Sequence, residues 1–191
     1  LKLLYSVPWP PQGIYSKQAV NTMADMKGIK VRSYNSSTAR ISELTGMAPV
    51  QIEAAQISQA LSAGVIASLI TSAVTGQDSK AWEQLSHFYT VEAWMPRNYV
   101  IVNKASWDAL SEKTRKVFTD CAATAEAAGL EKSKEANTKA LAMLAQNGMQ
   151  VVAPSKVLAA DLRKVGETMA AEWVAKAGEA GKAVMNAFNK K

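Results

Sequence analysis

The chain has 191 residues, 48% hydrophobic and 20% charged, enough for one moderate domain or parts of two around a real core. Its net charge is +6, but Arg stands only at positions 32, 40, 97, 115 and 163 and no run of like charge reaches five. Scattered charge of that kind lacks the basic stripe of a nucleic-acid surface, so no nucleic-acid partner is expected. One cysteine, Cys121, excludes an intrachain disulfide; it reads as a small buried residue among alanines. One histidine, His87, excludes a multi-His metal centre, and no Cys/His ligand spacing occurs. No metal or cofactor is expected. No apolar run approaches the roughly 18 residues of a membrane span, so no membrane insertion is expected. The opening LKLLYSVPWPPQG lacks signal-peptide features, as if the chain began partway through a fold.

In chain order, Lys2–Val7 reads as a strand ended by Pro8, Pro10 and Pro11. NTMADMK, Asn21–Lys27, is a turn or short helix closed by Gly28. In GIKVRSY, Ile29, Val31 and Ser33 alternate with Lys30 and Arg32, the period of two of a strand. Ser36, Ser37 and Thr38 offer N-caps for a helix that Gly46 ends, and Ala48–Ile52 is another strand. AAQISQALSAG is a helix with Ile57, Ala60 and Leu61 on its apolar face and Gly64 just beyond its end. VIASLITSA is a strand leading into a Thr75–Gly76 turn, and Asp78 or Ser79 caps a helix over KAWEQLSHFY. This succession predicts an α/β unit with a largely parallel sheet.

NYVIV at 98–102 reads as a buried strand. A helical stretch then runs from about Leu110 to Gln146, interrupted at Gly129, until Asn147–Gly148 stops it. MQVVAP is a short strand, and 155–187 is helical with breaks near Gly178 and Gly181. Residues up to about 97 alternate strand and helix; those after 104 are nearly all helix. Long helices across an α/β sheet suit a two-lobed receptor with a strand crossing between lobes.

Arg32 is the most informative side chain. It lies in a strand whose neighbours Val31 and Ile29 want burial, and its planar fork matches a carboxylate bidentately. A structural ion pair or an exposed strand end are the other readings of the same pattern. Tyr34 and Asn35 follow it, as hydrogen-bond donors to ligand oxygens or as ordinary turn residues. Thr71, Ser72 and Thr75 cluster at the carboxyl end of a strand, where open α/β sheets place their ligand crevice; they equally suit a helix cap. Among the aromatics, Trp94 is the pocket candidate because Met95–Pro96 puts it in a connection, whereas Trp107 and Trp173 suit helix packing. GxSxG, Walker, GxGxxG and HExxH motifs are absent, and Glu43 and Glu53 have no special spacing, which argues against an enzyme.

The run ADMKGIKVRSYN, then ELTGMAPVQI, then EAAQISQALSAGVIASLITSAVTG, resembles the solute-binding proteins of TRAP transporters, of the dicarboxylate-receptor type. The matching pieces are D-x-K-G-[IL]-K-x-R at Asp25–Arg32, G-x-x-P-V at Gly46–Val50 and A-L-x-x-G-V at Ala60–Val65; NYVIVNKASWDALSEKTRKVF is similar to the segment before the family's long helix. The resemblance implies a periplasmic-binding-protein-like two-lobed α/β fold with its first lobe largely missing here. Residues 1–97 are then an α/β ligand-binding lobe. Residues 98–137 are a crossing strand and spanning helix, a remnant of the other lobe, and 138–191 are a strand and helices packing back on the sheet. It implies a periplasmic receptor in which Arg32 holds the carboxylate of a small organic acid, delivered to TRAP membrane subunits. Asn35 is a contact in some members, and a further ligand-facing position falls near Thr71. Gln12 stands where some members carry a second Arg, and Ala67 where an acidic residue is common; a single Arg points to a monocarboxylate or a sugar acid. The alternative is an enzyme or ligand-responsive regulator on a similar two-lobed fold.

Overall fold

The computed structural model describes residues 1–190. Eight strands form two sheets. In the smaller, β1 (Lys2–Pro8) pairs antiparallel with β7 (Arg97–Val102). The larger holds β2 (Gln12–Ser16), β3 (Lys30–Ser33), β4 (Ala48–Gln51), β5 (Ser68–Ser72), β6 (His87–Tyr89) and β8 (Gln150–Val152), in the spatial order β4-β3-β5-β2-β6-β8. Five of these strands run the same way; β2 alone runs against its neighbours β5 and β6. The sheet is therefore largely parallel, as expected, with one exception that the sequence hides. β2 follows two prolines, and all five of its residues are buried, so it shows no alternation.

Each face of the large sheet carries its own apolar cluster. On one, Tyr15, Leu69 and Phe88 meet Ile57 and Leu61 of α2 (Ile57–Ser62) and Ala140 and Leu144 of α5 (Glu112–Gln146). On the other, Ile14, Val31, Ile70 and Tyr89 meet Ile41 of α1 (Ser36–Leu44) and Leu158 of α6 (Lys156–Asn189). The result is three layers, helix on sheet on helix.

Several local expectations change. The N-cap of α1 is Asn35, not Ser36, Ser37 or Thr38: extended backbone at Asn35 brings its Oδ1 to the Thr38 N–H at 2.9 Å. Thr75–Gly76 is no turn but lies inside α3 (Ala73–Asp78), because Ser72 accepts from the Thr75 N–H and starts the helix one residue after β5. Gly76 is needed there because the Tyr15 hydroxyl occupies the space of a β-carbon. The helix expected over 80–89 shrinks to one 3-10 turn, Ala81–Glu83, since Phe88 and Tyr89 are captured by β2 as the strand β6. NYVIV is exposed rather than buried, being half of a two-stranded sheet.

The short α4 (Lys104–Asp108) is separate from α5, which starts at an Ser111 cap and passes through Gly129 unbroken. Val7 of β1 packs against that glycine, 2.6 Å from where a Cβ would stand, so Gly129 serves close approach rather than a break. α6 does break at Gly178 (φ 63°, ψ −143°), but Gly181 is helical and buried beside Trp173. Trp107 is buried as expected of a packing residue, whereas Trp173 is half exposed. Cys121 is exposed on α5, against the expectation of burial, because the helix has few buried positions in that half.

Candidate ligand-binding site

Because β3, β4 and β5 are parallel and β2 opposes them, three carboxyl ends and one amino end meet at a single rim of the large sheet. That rim collects Arg32 to Asn35 after β3, Ile52 and Glu53 after β4, Thr71 and Ser72 at the end of β5, and Gln12 at the start of β2. Carboxyl ends of parallel strands are where such sheets present their ligands.

Arg32 is only 4% exposed, opposite Leu69 of β5 and Val50 of β4. Its Nε donates to the Ile52 carbonyl at 2.8 Å, and its Cζ lies 4.6 Å from the centre of the Tyr34 ring. Burial pulls its pKa down; Tyr34 and Glu53 oppose that shift. Glu53 is near enough to stabilise the cation, yet no carboxylate forms an ion pair with Arg32 among the described residues. The guanidinium is thus neither the structural ion pair nor the exposed strand end that the sequence allowed. Its terminal N–H groups have no protein acceptor among the described residues, and none of them is sealed from solvent.

Tyr34 joins Arg32 to β2. Its hydroxyl donates to Gln12 Oε1 at 2.9 Å, and Gln12 Nε2 donates to the Pro10 carbonyl at 2.9 Å. Gln12 is 1% exposed; its backbone N–H donates to Trp94 O at 3.0 Å, and its own carbonyl accepts from the Ala93 N–H at 2.9 Å. Burial raises the Tyr34 pKa, with the Trp94 indole and the Arg32 charge acting the other way. The Trp94 ring lies 6.4 Å from that of Tyr34. Its indole N–H is buried and completes no hydrogen bond. Gln12, Arg32, Tyr34 and Trp94 therefore form one connected group.

The other expected residues stand around it. Ser72 faces Gln12 across the ladder, but its hydroxyl is occupied: it accepts from Trp9 Nε1 at 3.2 Å and from the Thr75 N–H at 3.1 Å. Thr71 is buried two residues beyond Leu69, so it shares the sheet face of Arg32, and its hydroxyl has no hydrogen bond among the described residues. Asn35 spends its Oδ1 on the cap of α1. Trp94 also borders an apolar cavity of about 460 Å³ under α6. Residue types alone do not point to the Ile52 carbonyl that anchors Arg32, since a backbone acceptor twenty residues away leaves no trace in them. His87 stacks on Tyr89 and contacts Ser86 Oγ at 2.8 Å, but that hydroxyl donates to the Lys17 carbonyl, so it is not held as a nucleophile. Among the described residues no group of three or more His, Cys, Asp or Glu gathers to hold a metal, and no helix is long and apolar enough to cross a membrane.

Residues 12–177 match the family of bacterial extracellular solute-binding proteins, family 7, known as DctP. A marine metagenome TRAP solute-binding protein from an unidentified microbe, specific for pyroglutamate, is 44% identical over 99% of this chain, with a TM-score of 0.95. DctP6 of Bordetella pertussis, an extracytoplasmic solute receptor binding pyroglutamic acid, is 43% identical over 99% of this chain, again with a TM-score of 0.95. DctP7 of the same organism, also binding pyroglutamic acid, is 37% identical over 98% with a TM-score of 0.94. This chain spans 62%, 63% and 62% of those three proteins. The fold is that of TRAP solute receptors, and the chain belongs to family 7 of the bacterial extracellular solute-binding proteins.

Proposed function

We propose that this protein is the ligand-holding part of a periplasmic TRAP receptor, that Arg32 grips the carboxylate of a small organic acid, and that the acid is a monocarboxylate of the pyroglutamate type. The observation that carries the reading is the Arg32 guanidinium: buried, anchored through Nε, stacked on Tyr34, and without a carboxylate partner of its own. A desolvated cation held this way favours an incoming anion. Three relatives above 35% identity that bind pyroglutamate support a lactam acid over a sugar acid. Tyr34, Trp94, Thr71 and Gln12 line or support the site in this reading, with Ser72 and Asn35 shaping its edge. The large sheet belongs to the ligand-binding lobe (1–97) and to the segment that packs back on it (138–191). The strand and helix of 98–137 belong to the second lobe, and β1 goes with them as the partner of β7. The receptor hands its acid to TRAP membrane subunits and catalyses nothing.

Calorimetric titration with L-pyroglutamate tests this. A charge-assisted hydrogen bond contributes about 1.5–3 kcal/mol, so Arg32→Ala should weaken binding roughly tenfold to a hundredfold. Arg32→Lys, which keeps the charge but loses the fork, should fall between. Unchanged affinity in Arg32→Ala would sink the proposal.

A further inference from the structure

The hydrogen bonds around Tyr34 have only one consistent direction. The Pro10 carbonyl can only accept, so the end of the Gln12 side chain that faces it at 2.9 Å must be the amide NH2. The opposite end, Oε1, then faces Tyr34 and can only accept, so the phenol must donate to it, across 2.9 Å. A second neighbour enforces the same choice. The Trp94 indole carries a proton and no acceptor, so it cannot take the phenol proton and can only lean its N–H toward the same oxygen. A reversed Gln12 amide would set Oε1 against the Pro10 carbonyl with no water to relieve it, because the side chain is 1% exposed. The proton of Tyr34 is therefore committed to Gln12, and the hydroxyl oxygen keeps lone-pair density, on a ring whose face the Arg32 guanidinium covers at 4.6 Å from its centre.

We propose that Tyr34 is a specificity-determining acceptor, that Gln12 is the positioning residue which holds it in that role, and that the site selects acids bearing an N–H or O–H donor next to the carboxylate. The inference rests on Arg32 holding the carboxylate. In this scheme the carboxylate sits on Arg32 and a lactam N–H or a 2-hydroxyl on the adjacent carbon turns to the Tyr34 hydroxyl. A ligand with an oxygen there instead would set two lone pairs against each other. Gln12 touches no ligand in this scheme; it acts only through Tyr34.

The test compares two near-isosteric acids, L-pyroglutamate and its lactone counterpart 5-oxotetrahydrofuran-2-carboxylate, in which ring oxygen replaces the N–H. Affinities are measured for the unmodified protein and for Tyr34→Phe, Gln12→Leu, Gln12→Glu and Arg32→Ala. The unmodified protein should favour the lactam roughly tenfold or more, the cost of leaving a polar group unmatched. Tyr34→Phe should bring the ratio near one, and Gln12→Leu should move it the same way by freeing the phenol to turn. Gln12→Glu, protonated at this buried position, donates to the Pro10 carbonyl through its O–H and still accepts the phenol proton, so it should keep the ratio even if it lowers both affinities; a merely structural role for Gln12 predicts no such rescue. Equal affinities in the unmodified protein, or an unchanged ratio in Tyr34→Phe, overturns the proposal while leaving Arg32 as the carboxylate holder. Insensitivity of both acids to Arg32→Ala instead overturns the reading beneath it, and this one with it. A ligand-independent readout accompanies the titrations. The Tyr34 hydroxyl proton should be slowly exchanging and visible by NMR, and lost in Gln12→Leu; its absence from the unmodified protein also overturns the proposal.

Discussion

At the scale of single residues, what a side chain does here depends on which of its atoms are already taken. Arg32 was legible because an arginine amid apolar strand residues has few tolerable fates. The role of Gln12 was not, because its partners Pro10, Tyr34 and Trp94 meet only after folding. Asn35 shows the same limit from the other side: a polar residue after a strand suits a ligand contact or a cap, and only the geometry reveals its Oδ1 on Thr38. Asp25 gives a prediction at this scale. Its Oδ2 accepts from the Asn21 N–H at 3.0 Å, the Thr22 N–H at 2.8 Å and the Thr22 hydroxyl at 3.0 Å, which hold its pKa below the usual value. A carboxyl with a depressed folded pKa contributes above its unfolded value, roughly pH 4, and loses that contribution as pH falls through the folded one. Thermal melts across a pH series should show Asp25→Asn less stable than the parent at neutral pH. The gap should close in acid; a gap independent of pH would contradict this account.

Elements were legible where periodicity or punctuation was strong, and not where tertiary packing overruled it. α1 and β3 to β5 stood out because glycines with positive φ at 28, 46 and 64 end the turns between them. β2 and β6 did not, since each is stabilised by the other rather than by its own pattern. Gly129 reads as a helix break because glycine is a poor helix former; its role in the fold is to admit Val7. Gly129→Ala should therefore destabilise the protein by about 1–3 kcal/mol, the usual cost of overpacking, although alanine is the better helix former. Denaturant unfolding measures this, and a stabilised variant would show that α5 stands clear of β1. Removing the cap of α1 by Asn35→Ala should cost about 1 kcal/mol. That loss should appear in ligand-free protein, which separates the cap from any contact Asn35 makes with an acid.

At the scale of the molecule, the two sheets differ in how they are supported. The large sheet is covered on both faces by apolar side chains. The small one has two strands, with Leu3, Tyr99 and Ile101 exposed and α5 packed against β1. Two strands alone are marginal in water. Hydrogen exchange should accordingly protect the amides of β2 and β5 most and those of β7 far less; equal protection would mean that β7 is covered by something else in solution. The α/β class and the largely parallel sheet followed from the sequence because β3, β4 and β5 each lead into a helix. The separation of β1 from that sheet did not, because it depends on a partner some ninety residues away.

The joint between the sheets has a mechanical consequence. β1 continues into β2 and β6 into β7, so two antiparallel chain segments pass side by side from one sheet to the other, linked across the gap by hydrogen bonds from Trp9 to Pro96 and from Gln12 to Trp94. Four of the chain's six prolines, Pro8, Pro10, Pro11 and Pro96, lie in or beside this gap. Proline fixes one of the two soft backbone torsions, so the segment Trp9–Pro11 has few rotors to absorb a change of angle, and the hydrogen bonds across the gap tie its partner to it. The paired segments act as a stiff leaf spring clamped at both ends, with α5 as a strut alongside, and because Gln12 sits at the clamp, a load on the spring is felt at Tyr34.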